Sequence, residues 1–120
     1  MNVNVEIIER EISHIDFLLI MHIKSLRQEK KWSQQELSMK MGVSRSFVGN
    51  VENLIERHKY SIRHLTLLQK AFNKTSISEL FSFPQPDYDR IKMRIEINKT
   101  DNNKRIIKSK LIEIIPLDLL

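Results

Sequence analysis

The chain of 120 residues contains no cysteine. This excludes a disulfide framework, a thiolate metal site and a cysteine nucleophile, and it fits a reducing compartment. Glycine is almost as scarce. Only Gly42 and Gly49 are present, so no glycine-rich phosphate loop can form. The longest apolar run, Phe17-Leu18-Leu19-Ile20-Met21, is far too short to span a bilayer. The start, Met1-Asn2-Val3-Asn4-Val5-Glu6, lacks the basic residues and apolar stretch of a secretion signal. A cytoplasmic location with no membrane partner is the resulting expectation. His14, His22, His58 and His64 have no metal-ligand spacing, so neither metal nor cofactor is expected. No serine stands in a nucleophile elbow. Asp87 and Asp89 flank Tyr88 in a linker, where carboxylates are solvated. No enzymatic activity is expected.

What is present suits a folded domain: 41% apolar and 29% charged residues. The net charge of +5 is unevenly spread. Residues 1–88 hold twelve basic and ten acidic side chains, whereas residues 89–110 hold eight and three. A basic excess in a small protein favours a polyanionic partner such as nucleic acid.

Apolar spacing predicts mostly helix. Ile8, Ile12, Ile15, Leu19, Ile23 and Leu26 recur every three or four residues, which predicts a helix over 5–30. Its glutamates lead and its lysines trail, as the helix dipole prefers. A break near Ser13-His14 would leave residues 1–13 as a helical extension. Ser33 and Glu36 form a capping box for a helix reaching Lys40. Gly42 supplies the turn, and Ser44 caps a helix running to Asn53. Ser61 caps a fourth helix carrying Ile62, Leu65, Leu68 and Phe72. Ser76 and Glu79 form a box for a short fifth helix ending near Phe81. Pro84 and Pro86 mark a linker at 82–88. Beyond it the period becomes two. Ile91, Met93, Ile95 and Ile97 alternate with Arg90, Lys92, Arg94 and Glu96, which reads as a strand. Thr100-Asp101-Asn102-Asn103 is turn-rich. The β-branched stretch Ile106 to Ile115 completes a β-hairpin over 89–120. Such a hairpin is marginal alone and needs a cover.

Two short helices joined by a glycine turn are the outline of a helix-turn-helix. The segment from Trp32 to Asn53 resembles the Xre family of phage-repressor and Cro-like domains, whose pattern is S-Q-x-x-L-A-x-x-x-G-V-S-x-x-x-I-S-x-x-E. Ser33, Gln34, Leu37, Gly42, Val43, Ser44 and Glu52 match it, while Ser38 replaces the usual alanine and Val48 the usual isoleucine. The chain departs from the pattern after Glu52: Leu54 stands in the glycine position, and the loop to Ser61 is longer. The fold class expected is therefore mainly α: a five-helix repressor-like domain over 14–81, then the C-terminal β-hairpin.

The outward residues at the start of the second helix enter the major groove in such domains. Here they are Arg45 and Ser46, with Asn50 one turn on and Ser44 at the cap. Arginine can grip guanine, and asparagine adenine, through two hydrogen bonds. The resemblance implies that Gln34 bridges the phosphate backbone and the recognition helix. Lys40, Asn53 and the stretch Arg57-His58-Lys59 are phosphate-contact candidates. The resemblance also implies a partly buried structural ion pair between Arg27 and Glu52. For the hairpin three readings stand. Ile91, Met93, Ile95 and Ile97 could pack on a second copy; the basic face could touch DNA; or the hairpin could pack on its own domain. The leading expectation is a dimeric, sequence-specific regulator of transcription that represses. The alternative is an antitoxin or other interaction module whose hairpin binds a partner protein.

Overall fold

The computed structural model describes residues 4–100, 102 and 105–120. Turn residues Asp101 and Asn103 and the basic Lys104 lie outside the described residues, as does the start Met1 to Val3. The element order is β1 (Asn4–Ser13), α1 (His14–Glu29), α2 (Gln34–Met41), α3 (Phe47–Glu52), α4 (Ile62–Ala71), a 3-10 helix (Ile77–Phe81), β2 (Tyr88–Lys99) and β3 (Ile106–Leu119). Two compact units result. One is Ile15–Pro86; the other joins Met1–His14 to Asp87–Leu120.

Three expectations require correction. The described residues form four α-helices and a three-stranded antiparallel sheet, not five helices and a hairpin. The expected fifth helix is a five-residue 3-10 turn. Its intended box is incomplete: the Ser76 side chain makes no cap bond, and the Glu79 carboxylate accepts mainly from the Thr75 N–H and hydroxyl, one residue upstream. The Thr75 hydrogen bond lowers the Glu79 pKa first, with Lys74 nearby adding to the effect. The N-terminal segment is strand β1, not a helical extension. Its isoleucines at 8 and 12 suit either period. Long-range pairing decides between them, because β2 supplies cations opposite Glu6, Glu9 and Glu11.

In the helical unit the core comes from Phe17, Leu19, Ile20 and Ile23 of α1, Leu37 and Met41 of α2, Val48 and Val51 of α3, and Leu68, Phe72 and Leu80. The buried stripe of α1 is rotated from the one read through Ile15, which is exposed. Ile62, placed on the inner face of α4 by periodicity, points to solvent with 85% of its surface exposed. Trp32 stacks on Phe72 with centroids 5.3 Å apart.

In the sheet unit the strand order is β1-β2-β3. β1 pairs with β2 without interruption from Asn4 opposite Lys99 to Ser13 opposite Arg90. The β2–β3 register is irregular at four places. Thr100 N–H donates to the Arg105 carbonyl at 2.9 Å, closing the hairpin. At the opposite end Tyr88 N–H donates to His14 Nδ1 at 3.3 Å, and the two rings lie 5.7 Å apart.

Candidate nucleic-acid interface

The helix-turn-helix is built from local bonds. Ser33 Oγ accepts the Glu36 N–H at 3.0 Å, and Glu36 Oε1 accepts the Ser33 N–H at 3.1 Å. The box starts α2. Gly42 ends it with φ of 76°, in the left-handed region. A Cβ there would meet nothing within 4 Å, so the glycine answers to backbone angle, not to space. The recognition helix begins later than Ser44. Ser44 carbonyl accepts from Phe47 N–H in a turn, and the first helical bond runs from Asn50 N–H to the Ser46 carbonyl. The helix proper is α3, with residues 44–46 leading into it as a turn.

α2 and α3 are locked through polar groups. Ser38, fully buried, accepts the Val48 N–H on Oγ at 3.0 Å. Its one trace in the sequence is a serine where alanine is usual. Arg27 meets Glu52 by two bonds, Nε to Oε2 at 2.9 Å and a terminal nitrogen to Oε1 at 2.8 Å. Its other terminal nitrogen donates to the Trp32 carbonyl at 2.7 Å. The Glu52 hydrogen bond raises the Arg27 pKa, so the guanidinium stays charged. Gln34 Nε2 donates to the same Glu52 Oε1 at 3.0 Å. Gln34 is thereby fixed beside α3, where a Cβ on Gly49 would lie 3.1 Å from its Oε1. Arg45, Ser46 and Asn50 stand exposed next to it. Arg45 donates to Gln35 Oε1 at 3.1 Å, an orienting partner that the sequence did not single out.

Residues 23–80 match the helix-turn-helix family model. They are a helix-turn-helix domain of the Xre/Cro-like family. The chain is similar to the hypothetical transcription factor NHTF from Neisseria at 25% identity, covering 59% of this chain and 78% of that one with a TM-score of 0.50. It is similar to a point mutant of the restriction-modification controller protein C.Esp1396I at 25% identity, covering 57% and 84% with a TM-score of 0.50. No curated protein matches the chain. Domain and neighbours together make it a DNA-binding transcription regulator.

Around the Xre domain's recognition helix the remaining candidates occupy distinct settings. Lys40 Nζ sits 4.7 Å above the Trp32 ring, a cation–π contact that restrains the lysine. Asn53 is the C-cap of α3, and its Oδ1 accepts the Ile55 N–H at 3.2 Å. Arg57, His58 and Lys59 are exposed in the longer loop, with Lys59 Nζ 3.5 Å from Asp16. Phe47, at the start of α3, packs on His64 at 4.4 Å and on Tyr60 at 5.9 Å. Tyr60 is buried, and burial raises its pKa, with Glu52 adding to the effect. His64 Nδ1 accepts the Ser61 N–H at 2.9 Å. Burial lowers the His64 pKa first, and Arg63 lowers it further.

The hairpin residues singled out earlier have a different setting. Ile91, Met93, Ile95 and Ile97 are buried within the chain, at 2% exposure or less. The cations on the other face of β2 are paired: Arg90 with Glu11 at 2.8 Å, Lys92 and Arg94 with Glu9 at 3.9 Å, and Arg94 with Glu113 at 3.0 Å. Apolar side chains that are exposed lie on the flanking strands, among them Val5 and Ile7 on β1 and Ile106, Ile107, Ile112, Ile114 and Leu117 on β3.

Proposed function

We propose that the chain is a sequence-specific transcription repressor that binds double-stranded DNA as a symmetric dimer. The observation that carries this reading is the exposed trio Arg45, Ser46 and Asn50 at the leading end of α3, backed by the Gln34–Glu52–Arg27 network. A helix presented in this way places its first residues on base edges of the major groove. Arg45 takes guanine and Asn50 adenine, while Ser44 and Ser46 reach a base edge or phosphate. Gln34, Lys40, Asn53, Arg57 and Lys59 serve the phosphates and fix the docking without reading sequence. Repression follows from occupancy of the operator.

Selection of duplexes from a random pool at about 0.15 M salt tests the reading, since purely ionic binding is weakened there. Enrichment of an inverted repeat is expected. Arg45→Ala is expected to cost about 1–3 kcal/mol on the selected site and to relax one base position in each half. An unenriched pool, or an Arg45→Ala variant as tight as the wild type, removes sequence reading from this helix. The exposed isoleucines and leucines of β3 favour one second reading, in which that strand takes a partner protein and DNA binding serves autoregulation.

A further inference from the structure

Two glutamines, Gln34 and Gln35, open α2. Neighbours on a helix stand about 100° apart, so the pair faces different parts of the helix-turn-helix. Gln34 Nε2 donates to Glu52 Oε1 at 3.0 Å, at the far end of α3. Its Oε1 lies over Gly49, where a Cβ would stand 3.1 Å away. Gln35 Oε1 accepts from a terminal nitrogen of Arg45 at 3.1 Å, in the turn that leads into α3. Gln34 thus braces the body of α3, and Gln35 braces the arginine ahead of it.

The Gln35 contact leaves Arg45 equipped to read a base. A guanidinium carries five N–H groups in one plane. Gln35 takes one hydrogen of one terminal nitrogen. Whichever of that nitrogen's two hydrogens it takes, an edge with two parallel N–H groups is left. The O6 and N7 of guanine ask for such an edge. The contact also opposes two competing outcomes. The head of a helix is positively polarised and disfavours a cation. Gln35 is the second residue of α2, and its oxygen gives the guanidinium a partner there. The next acceptor along the chain, Glu36, is committed to the Ser33 N–H. The duplex backbone, for its part, offers phosphates that attract a loose arginine without regard to sequence. An arginine held in place beforehand loses less rotamer freedom on binding.

We propose that Gln35 is a positioning residue for base reading, which aims the Arg45 guanidinium at a guanine of each half-site. The proposal rests on the base-reading role of Arg45 above and names what gives that role its selectivity. Gln35 makes no base contact in this scheme and acts through Arg45. Both side chains are exposed, so water competes for each partner and the bond contributes little to folding. Its loss registers on the sequence selected, not on stability.

Selection from a random duplex pool at about 0.15 M salt, run on the wild type, Gln35→Ala, Gln35→Glu and Arg45→Ala, tests this. The wild type is expected to select a guanine in each half that Arg45→Ala no longer selects. Gln35→Ala is expected to relax that same position and no other, and to bind the wild-type duplex about three- to tenfold more weakly. Gln35→Glu keeps an acceptor for Arg45 and is expected to keep the guanine, while its negative charge weakens all duplexes alike. Gln35→Ala added to Arg45→Ala is expected to cost nothing further. The urea midpoint of Gln35→Ala is expected to match that of the wild type. An unenriched pool, or an Arg45→Ala variant that keeps the guanine, overturns the base-reading role and that of Gln35 with it. Where Arg45→Ala does lose the guanine, three outcomes overturn the positioning role alone. They are a Gln35→Ala variant that keeps the guanine or relaxes every position with a fallen midpoint, a Gln35→Glu variant that loses it, and an additive loss in the double variant.

Discussion

Glu52 is shared by three donors: the Arg27 Nε, an Arg27 terminal nitrogen and the Gln34 amide. Its side chain is 2% exposed, so the carboxylate has given up almost all of its water. Removing it leaves Arg27 charged and uncompensated in a half-dry site. Glu52→Ala is therefore expected to lower stability by about 3–5 kcal/mol, read as a fall in the urea midpoint at unchanged slope. The two glycines divide the remaining constraints. Gly42→Ala forces a Cβ onto a left-handed backbone and is expected to cost about 1 kcal/mol of stability. Gly49→Ala meets only the flexible end of Gln34 at 3.1 Å. It should leave the urea midpoint nearly unchanged while displacing Gln34, and so weaken operator binding. Titrating both variants against the selected duplex and against urea separates the two roles.

The helix starts differ in what caps them, and pH separates them. Ser61 N–H at the head of α4 is held by the neutral ring nitrogen of His64, which also supports Phe47 of the recognition helix. His22 packs edge-on against Phe83, and burial lowers its pKa as well. A histidine whose folded pKa lies below its ordinary 6.5 binds fewer protons folded than unfolded. Its contribution is complete above pH 6.5 and is lost as pH falls below that value. The melting temperature is thus expected to fall between pH 7.5 and 5.5, and His22→Gln/His64→Gln is expected to flatten the decline. Scanning calorimetry of both proteins across that range checks it. Such local caps were readable from residue types: Ser33 with Glu36 announces α2, and Gly42 announces its end. β1 was not readable, because its partner β2 lies some 85 residues away and the pattern Glu6 to Ile12 satisfies both periods. The late start of α3 and the Thr75–Glu79 bond were hidden for a simpler reason. Several serines and threonines competed for each cap, and tertiary packing chose among them.

Across the whole molecule, the charge read as one basic segment is divided between two roles. Residues 89–110 contain most of the excess cation, yet Arg90, Lys92, Arg94 and Lys99 face the glutamates of β1, with Glu113 of β3 joining Arg94. Sequence distance concealed those counter-charges, since Glu6, Glu9 and Glu11 lie at the other end of the chain. These exposed pairs add little stability, about 0–1 kcal/mol each. Their larger effect is to remove cations from the set available to phosphate. Arg57 differs: it is exposed in the loop after the recognition helix, with no ion pair among the described residues. The slope of log affinity against log salt counts the phosphates neutralised, at about 0.9 for each. Arg57→Gln is expected to reduce that slope by about one and to weaken all duplexes alike, leaving the selected sequence unchanged. Arg94→Gln is expected to leave the slope where it was. Fluorescence anisotropy between 50 and 200 mM salt, roughly the range over which counterion release changes affinity most usefully, measures both. An equal drop for Arg94→Gln would place the cationic face of the sheet on DNA; an unchanged slope for Arg57→Gln would move the phosphate track away from the loop and toward Lys40 and Asn53.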